Sequence, residues 1–458
     1  MKLLPIILAA GQGSRMNSSL PKVLHPIGGK SMLQHVIDSC RLLDYERLVI
    51  IYGHGGDVVR EKITGSDIDW ALQAEQKGTG HAVLQAQDFI PDDTIVVIAY
   101  GDVPLIKSDT LNLLVSKLSR VALTVLTTEL DNPIGYGRII RDDNGNICAI
   151  VEEKDADENQ KKINEVNTGF IAAKGKNLKR WLNQIKPNNK QEEYYLTDCV
   201  SLAIAEGGQV EAVICNNHVE VQGVNNRMQQ AQLERAYQAE QAQQLMLKGV
   251  TLADPSRIDV RGTLTVGKDV AIDINNIFIG DNEIGDNVTI HSGCVIENSS
   301  IANNTEIHAN SVIESASIGS NCSVGPFARV RPNTVLSDDA KVGNFVEIKK
   351  SMIGKGSKIS HLSYIGDTLM GENVNIGAGT ITCNYDGVNK FQTTIGDDVF
   401  IGSDTQLIAP VTIANGSTIG AGSTITENAP ADELTLSRAK QITLEGWQRP
   451  TKNKQEKI

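Results

Sequence analysis

The sequence has no long apolar run, no excess of positive charge and no paired cysteine motif. Its 458 residues carry a formal net charge of -12, which argues against a general nucleic-acid partner, because phosphate backbones are bound mainly by cationic surface. No apolar run reaches the length of a membrane-spanning helix. Seven cysteines, an odd number without C-x-x-C spacing, favour reduced thiols in a cytoplasmic protein over a disulfide framework or a zinc site.

The apolar segment at residues 3–10 (LLPIILAA) looks superficially like a short signal sequence. Only one lysine precedes it and a glycine-rich stretch follows at once, a pattern that is atypical of a secretory signal. We therefore expect a buried first strand here.

Residues 1–224 alternate strand-like and helix-like segments and are predicted to form a first domain. Four apolar, β-rich segments lie at 4–9, 48–52, 94–99 and 121–127, and helix-like segments include 32–43 and 80–87. Such alternation predicts a Rossmann-like α/β fold with a mainly parallel sheet. Its ligand site is expected at the carboxyl ends of the strands.

A helix and a repeat array follow this first region. Residues 226–248 contain no glycine, proline or β-branched residue, which predicts a linker helix, placed at 225–249, that acts as a stiff spacer. Residues 250–458 are predicted to form the last domain. Beyond Thr426 the chain leaves the repeat, and residues 447–458 are predicted to be a frayed or loosely docked tail.

From about Val266 to Thr426 aliphatic residues recur every six positions, in triples that recur after 17 or 18 residues. Ile284, Ile290 and Ile296 form one triple, and the next triple begins at Ile301. Three hexads per coil predict a three-sided prism of parallel strands with inward aliphatic residues, a hexapeptide β-helix. The alternative, a run of unrelated hairpins, does not explain a period kept over many coils.

The first strand runs into Gly11-Gln12-Gly13-Ser14-Arg15, with Lys22 shortly after. Glycines directly after a strand let backbone approach a phosphate, and the two cations supply charge. By itself G-x-G is as compatible with a structural turn. Two further segments favour a nucleotide site: YGDVP places Asp102 at a strand end, where Mg²⁺ could bridge phosphates, and QAEQKGTG (73–80) offers a turn against a base. Alternatively, Asp102 caps a turn and Gln73 is a surface residue.

Three non-repeating residues give the array possible chemistry. Arg331 and Lys349 occupy the same phase 18 residues apart, so their charges are expected to lie on stacked coils and to hold an anion, or else to fan apart in solvent. His361 lies near a corner outside the core, and histidine suits removal of a proton from an attacking amine. The hexad rhythm breaks once, from Thr382 to Thr394, where a loop could reach over a site.

These motifs resemble those of sugar nucleotidyltransferases: LAAGQGSRM with PKVLH, then YGDVP. With the array behind them, the whole chain resembles the bifunctional bacterial N-acetylglucosamine-1-phosphate uridylyltransferases/glucosamine-1-phosphate acetyltransferases. The resemblance implies a left-handed β-helix, a cytoplasmic homotrimer, Mg²⁺, and UTP and acetyl-CoA as co-substrates. It also implies synthesis of UDP-N-acetylglucosamine for peptidoglycan and lipopolysaccharide.

The resemblance implies roles for residues of the first domain. Arg15 and Lys22 would neutralise the triphosphate and act in catalysis, and Asp102 and Asn225 would hold Mg²⁺. The nucleotide and sugar phosphate would be bound by Leu8, Ala9, Ala10, Gly11, Lys22, Gln73, Gly78, Thr79, Tyr100, Gly101, Asp102, Gly137, Glu152, Asn167 and Asn225. Ser14 and Gly80 stand where the family usually has Thr and Ala.

For the array, the resemblance makes His361 the catalytic base. Glucosamine-1-phosphate would be bound by Arg331, Lys349, Tyr364 and Asn375. Acetyl-CoA would be bound by Ala378, Asn384, Tyr385, Ser403, Ala421 and Arg438. Small residues such as Ala378 and Ala421 recur at matching phases, so they could line a groove for a long thin ligand.

Two other functions stay open at the level of sequence. In the first, the chain is a sugar-1-phosphate nucleotidyltransferase whose array only forms oligomers or senses an effector. In the second, the array is a binding module behind a degenerate first domain. Arg15, Lys22 and Asp102 argue for nucleotidyl transfer by the first domain. Arg331, Lys349 and His361 argue for a second activity, in the array.

Overall fold

A computed structural model describes residues 2–53 and 55–451 of the chain. The chain divides into two compact units. The first comprises Met1–Gln243 with Val260–Gly262, and the second comprises Gln244–Asp259 with Thr263–Ile458. Each unit is built around its own β structure.

The first unit is organised by one mixed sheet. Its main path runs, from edge to edge, through the strands Val210–Ile214, Leu123–Glu129, Glu165–Lys174, Ile95–Tyr100, Leu3–Ala9, Leu48–Tyr52 and Ile68–Leu72. Neighbours on this path are parallel except at Glu165–Lys174, which is antiparallel to both of its neighbours. A hairpin, Arg138–Arg141 with Ile147–Val151, pairs with the start of that strand. The predicted Rossmann-like α/β fold with a mainly parallel sheet is confirmed.

Helices pack around this sheet and shield its apolar strands. The α-helices of the unit are Met32–Arg41, Asp57–Lys62, Thr79–Leu84, Ser108–Lys117, Gly175–Leu182, Asp198–Ala205 and Arg227–Leu247. Short 3-10 turns lie at Ser14–Met16, Lys22–Leu24, Gln87–Phe89, Gln160–Lys162 and His218–Val221, and a small ribbon pairs Pro26–Ile27 with Lys30–Ser31.

The first strand, Leu3–Ala9, is buried along its whole length. It pairs in parallel with strands on both sides, so the apolar segment is a central strand, as predicted. The helix Met32–Arg41 begins beside it because Ser31 caps the helix, accepting a hydrogen bond from the Gln34 amide. Its buried residues recur at helical spacing, which turns one apolar face toward the sheet.

The long helix Arg227–Leu247 lies within the stretch predicted as a linker. Glu234 accepts a hydrogen bond from the Gly28 amide at 2.8 Å. Gln238 both donates to the Val260 carbonyl at 2.9 Å and accepts from its amide at 2.7 Å. The stretch predicted to be a separate spacer is therefore for the most part an integral helix of the first unit.

The second unit is a parallel β-helix with stacked faces. One face is a ladder of the strands Thr251–Leu252, Ala271–Ile272, Thr289–Ile290, Glu306–Ile307, Ser323–Val324, Lys341–Asn344, Lys358–His361, Asn375–Ile376, Phe400–Ile401, Thr418–Ile419 and Leu434–Thr435. The other faces hold Ile258–Val266, Asn276–Ile284, Val295–Glu297, Ser300–Ile301, Val312–Glu314, Ala316–Ile318, Arg329–Val330, Thr334–Leu336, Glu347–Lys349, Met352–Ile353, Tyr364–Gly366, Thr368–Met370, Ile381–Cys383, Thr393–Ile395, Gln406–Ile408, Val411–Ile413 and Thr424–Ile425. A short 3-10 turn at Pro255–Arg257 precedes the long strands.

The predicted triples form the core of this unit. Ile290 pairs with Ile307 on the next coil, Ile301 pairs with Ile318, and Ile296 pairs with Ile313. These side chains are at most 3% exposed. Burying each isoleucine contributes roughly 1.5–3 kcal/mol, so the repeated column is the main source of stability of the coils.

The corners of the coils explain the remaining regularity. Asn287, Asn304 and Asn321 adopt left-handed backbone, with φ of 56°, 59° and 58°. Asparagine tolerates this conformation better than most residues. The side-chain amide of Asn287 donates to Asn304 Oδ1 at 3.1 Å, and the side-chain amide of Asn304 donates to Asn321 Oδ1 at 3.3 Å. A polar ladder therefore fixes one corner from coil to coil.

The array is longer at both ends than the predicted limits Val266 and Thr426. The strand Thr251–Leu252 already pairs with the next coil, and Leu434–Thr435 pairs with Thr418–Ile419. The hexad spacing is lost there, but the register with the neighbouring coil is kept. Of the predicted tail, residues 452–458 lie outside the described residues.

Candidate functional site

A cavity of about 330 Å³ opens at the carboxyl ends of the central strands of the first unit. The Gly101 amide donates to the Leu8 carbonyl at 2.9 Å, which ties the end of one strand to the next. The cavity is lined by Leu8, Ala9, Ala10, Gly11, Lys22, Val23, Gln73, Gln76, Gly78, Thr79, Ala82, Tyr100, Asp102 and Glu193. This cavity lies at the strand ends, the location predicted for a ligand site.

Four charged or polar side chains from distant segments meet beside this cavity. Lys22 Nζ lies 2.5 Å from Asp102 Oδ2 and 3.3 Å from Asn225 Oδ1. Arg15 donates to the same Asn225 oxygen at 3.0 Å. The Lys22 and Asp102 side chains are only 11% and 19% exposed, so water screens their charges weakly. Asp102 is thus a partner of Lys22 and does more than cap a turn.

Backbone geometry holds this cluster together. Gly13 has φ of 62°, and a Cβ there would lie 2.6 Å from Lys22 Cβ. Only glycine therefore allows the loop to pass so close to Lys22. On the other side, the Val224 amide donates to the Asp102 carbonyl at 2.9 Å, which brings Asn225 to the aspartate.

The segment at 73–80 forms one wall of the cavity. Gln73 is 4% exposed, so it is not a surface residue, and its amide donates to the Gly78 carbonyl at 3.1 Å. A Cβ on Gly80 would lie 3.0 Å from the Tyr194 carbonyl oxygen and 3.1 Å from Ile185 Cδ1. Gly80 therefore fits a wall packed tightly against the chain at Tyr194.

The residues predicted to hold the sugar phosphate also come together. The Asn167 amide donates to the Gly137 carbonyl at 2.8 Å, and a Cβ on Gly137 would lie 3.3 Å from Glu152 Oε2. Burial raises the pKa of Glu152, while a hydrogen bond from Thr197 at 3.2 Å opposes this effect. Burial, then the charges of Glu152 and Asp102, raise the pKa of Tyr100, so its hydroxyl is within the electrostatic influence of both acidic groups.

The donor set at Asp102 and Asn225 fits a magnesium ion. Mg²⁺ prefers oxygen ligands and is usually held by one or two carboxylates together with phosphate oxygens. Both side-chain oxygens point at one cationic atom, Lys22 Nζ, within 3.3 Å. Two oxygens already directed at one positive charge can accept a metal in that region.

In the β-helix, Arg331 and Lys349 are not an isolated repelling pair. Arg331 donates to Glu347 at 2.8 Å, so its charge has a partner on the next coil. Contact with the Lys390 side chain, then burial, lowers the pKa of Lys349, and Asp367 opposes this effect. Lys390 belongs to the stretch where the hexads break. That stretch therefore brings an additional cation to the predicted phosphate site.

His361 ends a strand next to Asn344, its neighbour on the preceding coil. The ring Nδ1 and Asn344 Oδ1 are 2.8 Å apart. When Nδ1–H donates to this amide oxygen, Nε2 is left as a proton acceptor. The histidine is exposed, so Nε2 is not enclosed by the core. This arrangement suits a general base.

The residues predicted to bind acetyl-CoA form a column across successive coils. The Asp404 amide donates to the Ala378 carbonyl at 2.7 Å, and the Gly422 amide donates to the Ser403 carbonyl at 2.8 Å. Arg438 donates to the Ala421 carbonyl at 3.0 Å. Ala378, Ser403 and Ala421 thus follow one another along one corner of the prism, and Arg438 lies at its end.

The loop residues predicted for this site follow the strand Ile381–Cys383, whereas Ala378 of the column precedes it. Asn384 is buried and donates to Asp367 Oδ2 at 2.6 Å, and Tyr385 is exposed. A Cβ on Gly366 would lie 2.5 Å from Tyr364 Oη and 2.8 Å from Asn384 Nδ2, so these side chains meet. Asn375 is separate from this group, because it pairs with Lys358 on a different face.

Several residues of these sites escaped the sequence analysis. Asn344 lies 17 residues before His361, one coil period, so the period could have identified it. Nothing in the sequence indicated that Asp367 would be buried beside Asn384 and Lys349. Gln76 donates to the Ala10 carbonyl across the cavity, and no motif indicated that contact either.

Comparisons with known proteins agree with this division of the chain. Residues 5–149 match the MobA-like NTP transferase domain, residues 260–353 match the GMPPB C-terminal domain, and residues 392–427 match six repeats of the bacterial transferase hexapeptide. The chain therefore combines a nucleotidyltransferase domain with a hexapeptide-repeat β-helix.

Two solved structures are similar to part of the chain. One is a UDP-glucose pyrophosphorylase complexed with UDP-glucose, at 17% identity and a TM-score of 0.43, over 52% of this chain and 98% of that chain. The other is a putative glucose-1-phosphate thymidylyltransferase from Bacillus anthracis in complex with a sucrose. It has 22% identity and a TM-score of 0.42, over 51% of this chain and 94% of that chain. Among the described residues, no helix is long and apolar enough to cross a membrane.

Proposed function

We propose that the protein is a bifunctional enzyme of UDP-N-acetylglucosamine synthesis. The β-helix transfers the acetyl group of acetyl-CoA to the amine of glucosamine-1-phosphate. The first unit then couples N-acetylglucosamine-1-phosphate to UTP and releases pyrophosphate. The observation that carries the proposal is the convergence of Arg15, Lys22, Asp102 and Asn225 beside a cavity at the strand ends.

The site in the first unit is suited to phosphate chemistry. A phosphate oxygen of the sugar-1-phosphate attacks the α-phosphorus of UTP, and pyrophosphate leaves. The nucleophile is already ionised at neutral pH, so the enzyme has to align the reactants and neutralise charge more than it has to remove a proton. Arg15 and Lys22 supply that charge at a site where the screening by water is weak.

Asp102 and Asn225 are the residues that would hold Mg²⁺. The ion would supply further neutralisation of the triphosphate charge. Lys22, which contacts both of these oxygens, also lines the cavity. Glu152 and Asn167 would bind the sugar and ribose hydroxyls, because both residues are neighbours of Gly137 and both side chains carry oxygen acceptors.

The site in the β-helix is suited to acyl transfer. Arg331 and Lys349, with Lys390 beside them, provide the positive charge for the phosphate of glucosamine-1-phosphate. His361, held by Asn344 at 2.8 Å, accepts a proton as the sugar amine attacks the thioester carbonyl, and the coenzyme A thiolate leaves. Such base catalysis typically contributes about 10²–10⁴-fold in rate.

The proposal includes a homotrimer, with β-helix faces packed together and the acetyl-CoA sites shared between subunits. The column Ala378, Ser403 and Ala421 supports the acetyl-CoA site, because small residues leave room for a long thin ligand along the corner. Oligomeric state is measured by light scattering on the intact chain, and a monomer at micromolar concentration contradicts this part of the proposal.

Two assays on the same protein test the function. Release of coenzyme A thiol is followed with acetyl-CoA and glucosamine-1-phosphate, and release of pyrophosphate is followed with UTP and N-acetylglucosamine-1-phosphate. We expect both in the wild type. We expect His361→Ala to lose about 10²–10⁴-fold of thiol release and to retain pyrophosphate release.

The outcomes separate the candidate functions. A wild type that releases pyrophosphate but no thiol is a nucleotidyltransferase whose β-helix serves assembly or effector binding. The reverse result assigns the activity to the β-helix alone. Full thiol release by His361→Ala rules out this histidine as the base.

A further inference from the structure

We propose that His291, Glu306 and His308 form a binding site for a divalent transition-metal ion that joins two coils of the β-helix. The three side chains lie on consecutive coils of one face, away from the coils that carry His361. Their ligand atoms, two imidazole nitrogens and one carboxylate oxygen, all lie within 4.8 Å of one another. Two histidines with one glutamate are a ligand set that suits Zn²⁺ with an open fourth position.

The register of the coils creates the cluster. Thr289 pairs with Glu306 and Ile290 pairs with Ile307, so His291 follows its strand at the level of His308. The two imidazole rings stack with centroids 5.4 Å apart and planes 10° apart. Glu306 begins the strand Glu306–Ile307 and His308 directly follows it, so the two residues are two apart along the chain and project to the same side. The arrangement is set by backbone pairing and not by a chance meeting of flexible side chains.

The distances fit a small ion. His291 Nε2 lies 2.7 Å from Glu306 Oε1, and His308 Nδ1 lies 3.7 Å from the same oxygen. Around a tetrahedral zinc ion with bonds of about 2.0–2.1 Å, ligand atoms are roughly 3.3 Å apart. The two observed separations bracket this value, so small side-chain rotations bring the three atoms to metal distance.

A neighbouring coil supplies the outer partner that histidine ligands usually have. His308 Nε2 lies 2.9 Å from the Ser323 hydroxyl. When Ser323 accepts from Nε2–H, the lone pair of Nδ1 faces Glu306, the direction in which an ion would bind. A hydrogen bond on the far nitrogen fixes ring orientation and tautomer in metal sites. All three ligands are partly exposed, at 39%, 49% and 30%, so the ion and a water molecule have access.

Titration with the metal alone tests the site. Full-length protein without an affinity tag, kept reduced and saturated with Mg²⁺, is titrated with Zn²⁺ and separately with Co²⁺. We expect one site per chain, a cobalt spectrum with nitrogen and oxygen ligation but no thiolate charge-transfer band, and a higher melting temperature of the β-helix. We expect His308→Gln and Glu306→Gln to weaken binding at least tenfold.

Two further variants sharpen the result. Ser323→Ala retains all three ligands, and we expect it to weaken binding roughly tenfold, because it removes the outer hydrogen bond. His218→Gln removes an exposed histidine of the first unit, and we expect unchanged binding. The proposal is wrong if the wild type binds no Zn²⁺ or Co²⁺ under these conditions, or if His308→Gln binds them as tightly as the wild type. In that event the cluster is an ordinary histidine–glutamate ion pair.

Discussion

The two units assemble their candidate sites in different ways. In the first, Arg15, Lys22, Asp102 and Asn225 come from distant segments and meet because the sheet topology brings strand ends together. In the second, His361 meets Asn344 because one coil period separates them. The first site depends on the whole fold, whereas the second depends on the register of adjacent coils.

This difference determines how each site tolerates change. A partly buried ion pair such as Lys22–Asp102 is sensitive, because removal of one partner leaves a poorly screened charge. In the β-helix site His361, Tyr385 and Ser403 are exposed outside a repeated core, so these side chains can change without loss of the fold. Substitutions at the β-helix site should therefore change activity with little change in stability, whereas substitutions at the Lys22–Asp102 pair should change both.

The largest effect is expected for Asp102→Ala in the first unit. This change removes a proposed metal ligand and the partner of Lys22 at 2.5 Å. We expect pyrophosphate release to fall about 10³-fold, the size of effect seen when one preorganised electrostatic group is lost. Thiol release by the β-helix should stay within about twofold of wild type, because each unit has its own core.

A matched control for this substitution is Asp142→Ala, which removes an exposed carboxylate at the hairpin turn of the same unit. It should leave both activities unchanged. If Asp102→Ala makes UDP-sugar at the full rate, the assignment of this residue to Mg²⁺ is wrong. If it also abolishes thiol release, the two units are not independent and the comparison fails.

The fold could be predicted to a large extent because both units have strong periodic signals. The strand predicted at 48–52 is Leu48–Tyr52, and the aliphatic triples form the buried column of the β-helix. The antiparallel strand Glu165–Lys174 was not foreseen, since antiparallel pairing within a mainly parallel sheet leaves no clear mark on sequence. The packing of helix Arg227–Leu247 on Gly28 was also missed, because docking depends on tertiary contacts.

The sites could be predicted only in part. The motifs with glycines and charges indicated Lys22 and Asp102, which the structure brings together. The partners of Lys349 were not visible, because neither Asp367 nor Lys390 carries a motif. Asp367 lies at a coil corner between two strands, and Lys390 lies in the irregular loop. Sequence therefore indicated which residues carry charge, whereas the structure shows which charges have partners.

A smaller effect is expected for Asn344→Ala, which removes the positioning partner of His361 at 2.8 Å. We expect kcat for acetyl transfer to fall about tenfold, since part of the contribution of a general base depends on its orientation. KM for both substrates should stay the same, because Asn344 has no predicted ligand contact. Steady-state thiol release measures both constants.

Asn344→Asp is the matching rescue variant, because a carboxylate accepts the same Nδ1–H hydrogen bond. It should recover most of kcat. A change confined to KM, or equal loss in both variants, would show that Asn344 supports the coil and does not position the histidine.

A structural contrast between the units follows from the corners. Asn304 has φ of 59° and accepts from Asn287 at 3.1 Å. We expect Asn304→Ala to lower the free energy of unfolding by about 1–2 kcal/mol, the cost of left-handed backbone for residues other than Gly, Asn and Asp. Asn304→Gly should cost less, and denaturant unfolding of the β-helix measures both.

The same exchange in the first unit should have the opposite sign. Asn112 is exposed in the helix Ser108–Lys117, where alanine is the better helix former. Asn112→Ala should therefore leave stability unchanged or raise it slightly. If both asparagines respond alike, the corner conformation is not what selects asparagine in the coils.

The smallest effect, and the one that connects stability with function, is expected at Glu152. Its pKa is raised chiefly by burial, so the fold disfavours the ionised carboxylate. Below the unfolded-state pKa, about 4.3, the group is protonated in both states and this destabilisation is absent. As pH rises through the folded-state pKa, the folded protein has to carry a buried charge and loses stability.

Glu152→Gln should therefore raise the melting temperature of the first unit at pH 8 but not at pH 4. The same substitution should impair pyrophosphate release, because it removes an acceptor for a sugar hydroxyl. The Thr197 hydroxyl, which bonds Glu152 at 3.2 Å, keeps an acceptor in the glutamine variant, so the rise reflects the lost charge. If the variant and the wild type melt at the same temperature at both pH values, the buried Glu152 carboxylate does not destabilise the first unit. The first unit, like the β-helix, would then build its site without loss of stability.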